Sequence, residues 1–281
     1  MIYPDLLVHL ETYPDALPDA AVDKVAALAV ALGGGGTAIS PHVRIPLKGA
    51  RLASFALKLD DLARSEEARA RQNADHLAAR FAAAVEAGGG ASTAVHPACE
   101  LFEIGEVTAR LARTRDLTLL PVAGEAGAHL SVAEALLFSS GRPALLFRAD
   151  GAGPPSGLEN VMVAWDGSAP AARAVMAAMP VLKAAKSVTI LSILNEKAGV
   201  SEEQGEDLVR HLARHGVSAS KLSFDAAGAT IGSVLEHVCA RQQVDLLVMG
   251  AFGHSRARQF ILGGATRSVL EAPPAPVLLA H

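Results

Sequence analysis

The chain has 281 residues, with 51% hydrophobic and only 4% aromatic side chains and a formal net charge of −4. That length suits two domains of about 140 residues each, and the acidic balance argues against nucleic acid as a partner. Its two cysteines, Cys99 and Cys239, lie far apart with no C-x-x-C partner, so they read as reduced thiols rather than a disulfide or metal site.

The N-terminal "MIYPDLLVHLETYPDALPD" is acidic and lacks the basic start of a secretory signal. No apolar run reaches the roughly 18 residues that a membrane helix needs. The expectation is a cytoplasmic chain with no membrane association.

The first half opens with the β-rich "LLVHLET", Leu6 to Thr12, and an Ala-rich helical pattern ending in the run Gly33 to Gly36. A long helical stretch follows, ending in Gly88 to Gly90. Ala70, Ala74, Leu77, Phe81 and Val85 recur there at helical spacing and predict one buried face, with Arg and Glu on the solvated side. Both glycine runs come after a helix and before a strand, so they read as helix caps and turns. A dinucleotide loop would instead follow the first strand and open a helix. "DLTLLPVAG" (Asp116 to Gly124) and "PALLF" (Pro143 to Phe147) complete this half.

After the linker-like "GAGPPSG", Gly151 to Gly157, the plan repeats. "VMVAWDGS" stands for the first strand, "DLLVMGAFG" echoes "DLTLLPVAG", and "PVLLA" echoes "PALLF". Strands are expected at about 161–166, 187–194, 220–226, 245–250 and 276–280. The helices between them are "APAARAVMAAMPVLKAA", "EEQGEDLVRHLARHG", "TIGSVLEHVCARQQ" with Thr230 as N-cap, and "ATRSVLEA". Strands alternating with helices predict an α/β chain of two Rossmann-like domains, residues 1–150 and 158–281, each with a parallel five-stranded sheet of order 3-2-1-4-5. The two domains are expected to pack through their fifth strands.

In such sheets ligands bind beyond the C-terminal strand ends, where the strand order reverses. Asp166 ends the first strand of the second half and Gly250 ends the fourth. Gly250, Gly253, Gly263 and Gly264 then let backbone N–H groups approach an anion, and the helix that starts near Gly264 adds unpaired donors. Asp166 is suited to accept from a ribose or base, although with Ser168 it equally suits a helix cap. Arg256 and Arg258 read as solvated charge, His254 as exposed, and Trp165 as a core or domain-interface residue. His9, His96 and His237 show no ligand spacing, so no metal site is expected.

"VAWDGS", "VMGAFGHS", "ILGGATRSVL" and "PAPVLL" resemble the universal stress protein (UspA) family, in a tandem two-domain arrangement. Family members that bind ATP carry G-x2-G-x9-G-(S/T/N) after strand four and an aspartate ending strand one. The resemblance implies a nucleotide site at Asp166, Gly250, Gly253, Gly263 and Gly264, a ligand that is ATP or another adenine nucleotide, and a role in stress response. Mg2+, a protein partner and homodimerisation are left open. Gly264 departs from the pattern, because the family usually has a hydroxyl residue there; Thr266 stands two positions later as a substitute. The first half departs further: Glu11 replaces the aspartate, Pro121 replaces the first glycine, and the loop after Gly124 is short.

No Lys-Ser/Thr follows the glycines, no acidic pair stands nearby, and there is no G-x-S-x-G elbow. The expectation is a protein that holds a nucleotide and is not an enzyme, or at most a slow ATPase. The rival expectation is a nucleotide-free structural or adaptor protein with both sites degenerate.

Overall fold

A computed structural model describes residues 1–46, 53–123, 128–149, 158–194, 202–252 and 264–281, without the side chains of 53–58, 128 and 202–204. The first half runs β1 (Leu6–His9), α1 (Asp19–Gly33), β2 (Gly35–Ile39), β3 (His42–Arg44), α2 (Ala53–Ala87), β4 (Ala91–Val95), β5 (Ala98–Glu100), α3 (Ile104–Ala112), β6 (Leu117–Val122), α4 (Ala128–Ala135) and β7 (Ala144–Arg148). The second half runs β8 (Asn160–Ala164), α5 (Ala169–Ala184), β9 (Ser187–Leu194), α6 (Glu202–Arg214), β10 (Ser220–Asp225), α7 (Ile231–Arg241), β11 (Leu246–Gly250), α8 (Gly264–Glu271) and β12 (Val277–Ala280).

Ten strands form one sheet in the order β10-β9-β8-β11-β12-β7-β6-β1-β2-β4. Pairing is parallel within each half. The last strands of the halves meet antiparallel, with Leu278 opposite Leu145. Apolar runs such as "LLV" and "VMV" are buried on both faces, as parallel strands under helices require. Alternate strand residues feed two cores. Leu6, Val8, Val161 and Val163 join side chains of α1, α2, α5 and α6 on one face. Leu7, Met162, Leu247 and Leu279 join α3, α7 and α8 on the other. Each core crosses the seam between the halves. Each fully buried Leu, Val or Phe stabilises the fold by about 1.5–3 kcal/mol.

The seam is also tied by polar groups. The buried Tyr3 hydroxyl donates to the Ala177 carbonyl of α5 at 2.8 Å. Burial, with Asp116 nearby, pushes its ionisation well above the usual tyrosine range. His129 Nε2 lies 3.1 Å from the Leu270 carbonyl at the end of α8.

The predicted apolar stripe of α2 is in place: Ala70, Ala74, Leu77, Phe81 and Val85 are all buried. Gly34 caps α1 with φ 75°, a left-handed conformation that glycine adopts without a Cβ penalty. Gly89 takes φ 78° in the turn after α2, whereas Gly35 and Gly36, expected as part of a cap and turn, already pair within β2. A two-stranded parallel ribbon, β3 with β5, lies beyond the ends of β2 and β4. Its three-residue strands are too short to show any periodicity in the sequence.

The repeat runs deeper than the strands. Gly105 in α3 and Gly232 in α7 each stand in an Ile-Gly-x-Val run. A Cβ at Gly105 would lie 2.9 Å from the Ser131 carbonyl oxygen, and one at Gly232 would lie 2.2 Å from the Ser268 Oγ. Both glycines let the third helix of a half press directly on the fourth.

Candidate functional site

The chain leaves β8 at Ala164 and turns within four residues into α5. Asp166 Oδ1 accepts the Ser168 N–H at 3.0 Å. Gly167 takes φ 73°. Ser168 is the N-cap of α5, its hydroxyl accepting the Ala171 N–H at 3.2 Å. Asp166 thus shapes the turn by which α5 begins, and its carboxylate stands at the C-terminal edge of the sheet.

β11 pairs with β8 in parallel, Met249 opposite Ala164, so Gly250 ends its strand beside that turn. A Cβ on Gly250 would stand 2.3 Å from the Ala171 nitrogen and 2.6 Å from the Pro170 carbonyl carbon. The first turn of α5 therefore rests on bare backbone. This need for glycine comes from packing, a reason that motif spacing does not reveal.

Beyond Gly250 the Ala251 N–H donates to the Ala280 carbonyl at 2.8 Å. Phe252 then adopts φ 59°, an unusual conformation for a bulky residue, costing roughly 1–2 kcal/mol. Three contacts hold it. Its N–H donates to the Thr266 hydroxyl at 3.1 Å. Its ring packs on Phe138 of the first half at 4.5 Å between centroids. His281 meets the same ring edge-on at 6.0 Å. Thr266 is 4% exposed, so its hydroxyl fixes the start of the loop rather than replacing a surface hydroxyl at position 264. Gly253 and Gly263, with His254, Arg256 and Arg258, lie outside the described residues.

Gly264 opens α8 and is exposed, and a Cβ there would meet nothing within 4 Å. This position needs no glycine on packing grounds. The first turn of α8 lies beside Phe252, just past the end of β11, and a helix start carries the positive end of its dipole. Trp165, partly buried, packs against the core and donates its backbone N–H to the Leu191 carbonyl.

The first half is built otherwise at the same edge. Glu11 Oε2 lies 3.5 Å from Nε2 of the buried His9, and the Glu11 carbonyl accepts the Leu17 N–H. His9 Nδ1 meets the Thr108 hydroxyl at 3.2 Å. Pro121 sits within β6 opposite Phe147. Only residues 123–127 separate β6 from α4, against 251–263 between β11 and α8. Gly124 lies outside the described residues.

The Universal stress protein family (Usp) matches residues 157–281. Those residues form a universal stress protein domain. Over the whole chain the fold is similar to that of a universal stress protein from Archaeoglobus fulgidus DSM 4304, with 17% identity, 98% of this chain and 97% of that chain covered, and a TM-score of 0.68. It is also similar to a putative universal stress protein from Pseudomonas aeruginosa UCBPP-PA14, with 15% identity, 99% and 93% covered, and a TM-score of 0.57. The cytoplasmic domain of a prokaryotic cation chloride cotransporter shares the arrangement, with 13% identity, 98% and 94% covered, and a TM-score of 0.51. No curated protein matches the sequence significantly. The tandem α/β architecture is thus shared across the full length, while the family match covers the Usp domain alone. Among the described residues no helix is long and apolar enough to cross a membrane.

Proposed function

We propose that the Usp domain binds ATP or another adenine nucleotide at the edge between β8 and β11, and that the chain acts in the cytoplasm in stress signalling or protection. The observation that carries this reading is the convergence of three features on one edge: the Asp166 turn, the end of β11 at Gly250 and the start of α8 at Gly264. Asp166 would accept from the ribose or base. Backbone N–H groups at Gly250, Gly253, Gly263 and Gly264 would serve the phosphates, with or without Mg2+. On this reading the site holds a nucleotide and is at most a slow ATPase, since no Lys-Ser/Thr follows the glycines in the sequence. The first half serves as a structural partner, since Glu11 is engaged with the buried His9, Pro121 has no N–H to donate and the loop after β6 is short.

The competing reading is a nucleotide-free adaptor. Gly264, which offers no hydroxyl, and Thr266, already engaged by Phe252, speak for it. Mass spectrometry of the protein purified under native conditions without added nucleotide separates the two. A co-purified adenine nucleotide supports the proposal; a ligand-free chain that stays so after incubation with ATP supports the adaptor.

A further inference from the structure

The edge of the first half that lacks the nucleotide loop carries another constellation. After β2 the chain passes through Ser40, Pro41 and His42; after β4 it passes through His96 and Pro97. The two segments run side by side, the Ser40 N–H donating to the Val95 carbonyl at 3.1 Å and the His42 N–H to the Pro97 carbonyl at 3.0 Å. Their imidazoles stack at 5.0 Å between centroids. Asp75, on α2, reaches the same place, its Oδ1 lying 3.6 Å from His42 Nε2. One ligand atom from each of His42, Asp75 and His96 lies within 4.8 Å of the others.

We infer that His42, His96 and Asp75 form a binding site for a divalent first-row transition ion, with zinc as its representative. His42 Nε2 is buried and has no hydrogen-bond partner among the described residues, since Asp75 is too distant to provide one. An unpaired buried ring nitrogen costs about 1–3 kcal/mol unless something fills the role. His96 is held through its other nitrogen: Nδ1 lies 2.8 Å from the Ser40 hydroxyl and 3.3 Å from the Ser40 carbonyl. That contact leaves Nε2 as the coordinating atom, the arrangement by which a backbone carbonyl fixes the ring of a metal-ligating histidine. The donor set is two imidazoles and one carboxylate, which suits zinc and other first-row ions rather than calcium or magnesium.

Geometry allows the closure. Ligands at about 2.0–2.2 Å around a tetrahedral ion stand about 3.3 Å apart. Asp75, whose side chain is 64% exposed, has room to move toward the two rings. The α2 backbone that carries Asp75 is anchored on either side. Asn73 donates to the Thr12 carbonyl at 3.1 Å, and His76 meets Asp19 Oδ1 at 2.8 Å. Water takes the fourth position on the solvent side. The spacing of the three residues in the chain gives no sign of this site, because the sheet order and the long second helix bring them together.

Cobalt(II) and zinc titrations of the full chain test the inference. One equivalent of cobalt(II) should give the strong visible bands of a four-coordinate ion, zinc should displace it, and zinc should raise the melting temperature by mass action. His42→Ala and His96→Ala should abolish the stoichiometric bands. Asp75→Asn keeps the size of an exposed side chain and so keeps the fold; it should weaken binding at least tenfold. Ser40→Ala acts only through the His96 ring and should weaken it by about tenfold. The control is His211→Ala with His215→Ala, an exposed pair that meets edge-on at 4.8 Å elsewhere on the chain. Absence of cobalt bands, bands that vanish with the control pair, or bands unchanged in Asp75→Asn and His42→Ala would each overturn the site.

Discussion

The hydroxyl of Thr266, in the first turn of α8, accepts the backbone N–H of Phe252, just past β11, at 3.1 Å. This single bond ties the two ends of the glycine-rich loop together and supports a left-handed Phe252. Thr266→Val keeps the volume and removes the acceptor. It should cost about 1–3 kcal/mol in chemical denaturation, because the N–H is left without a partner. Thr266→Ser restores the hydroxyl and should recover most of that loss. Equal stability of the Val variant and the parent would show that the bond does not hold the loop.

Gly250 and Gly264 should respond oppositely to substitution. Gly250→Ala drives a methyl into the backbone of Pro170 and Ala171 and should destabilise the fold by about 1–3 kcal/mol or more. Gly264→Ala places its methyl in open space and should leave the melting temperature unchanged or slightly raised. A tolerated Gly250→Ala would mean that α5 does not rest on β11 as described.

The continuous sheet and the shared cores predict a single unfolding transition for both halves. Calorimetry should show one peak whose van't Hoff and calorimetric enthalpies agree. Tyr3→Phe removes the bond to Ala177 across the seam and should cost about 1 kcal/mol without splitting that peak. Two separated peaks in the parent chain would contradict coupling through β7 and β12.

Burial pushes the Cys239 thiol up to about 12, and Cys99 is shifted in the same direction by burial and by Glu103. The folded state therefore favours the protonated thiol. This contribution is fully present below the unfolded thiol pKa of about 8.5 and is lost as pH rises toward 12. Melting temperature should be level near neutrality and fall above about pH 9, less steeply in Cys239→Ala. The native protein should also react slowly with thiol reagents.

Local periodicity made much of the architecture legible. The stripe from Ala70 to Val85 on α2 and the caps at Ser168 and Thr230 follow from side-chain spacing and capping chemistry, which act within a few residues. The first strand of the second half ends at Ala164, short of Asp166, because the carboxylate already turns the chain. Features that depend on distant partners were not legible. The need for glycine at 250 arises from α5, that at 105 and 232 from a neighbouring helix, and the meeting of His42, Asp75 and His96 from sheet order. Thr266 stood out in the sequence as a candidate hydroxyl, but its bond to Phe252 was not legible, since that partner lies across the loop.

The most direct measurement is a calorimetric titration of the full chain with ATP, repeated on Asp166→Ala and Gly264→Ser. One binding event is expected in the parent chain, with a loss of at least about tenfold in Asp166→Ala. Gly264→Ser should bind more tightly, because one hydrogen bond to a charged phosphate is worth about 1.5–3 kcal/mol. No heat at millimolar ATP, or an affinity unmoved by both substitutions, would contradict a nucleotide site in the Usp domain.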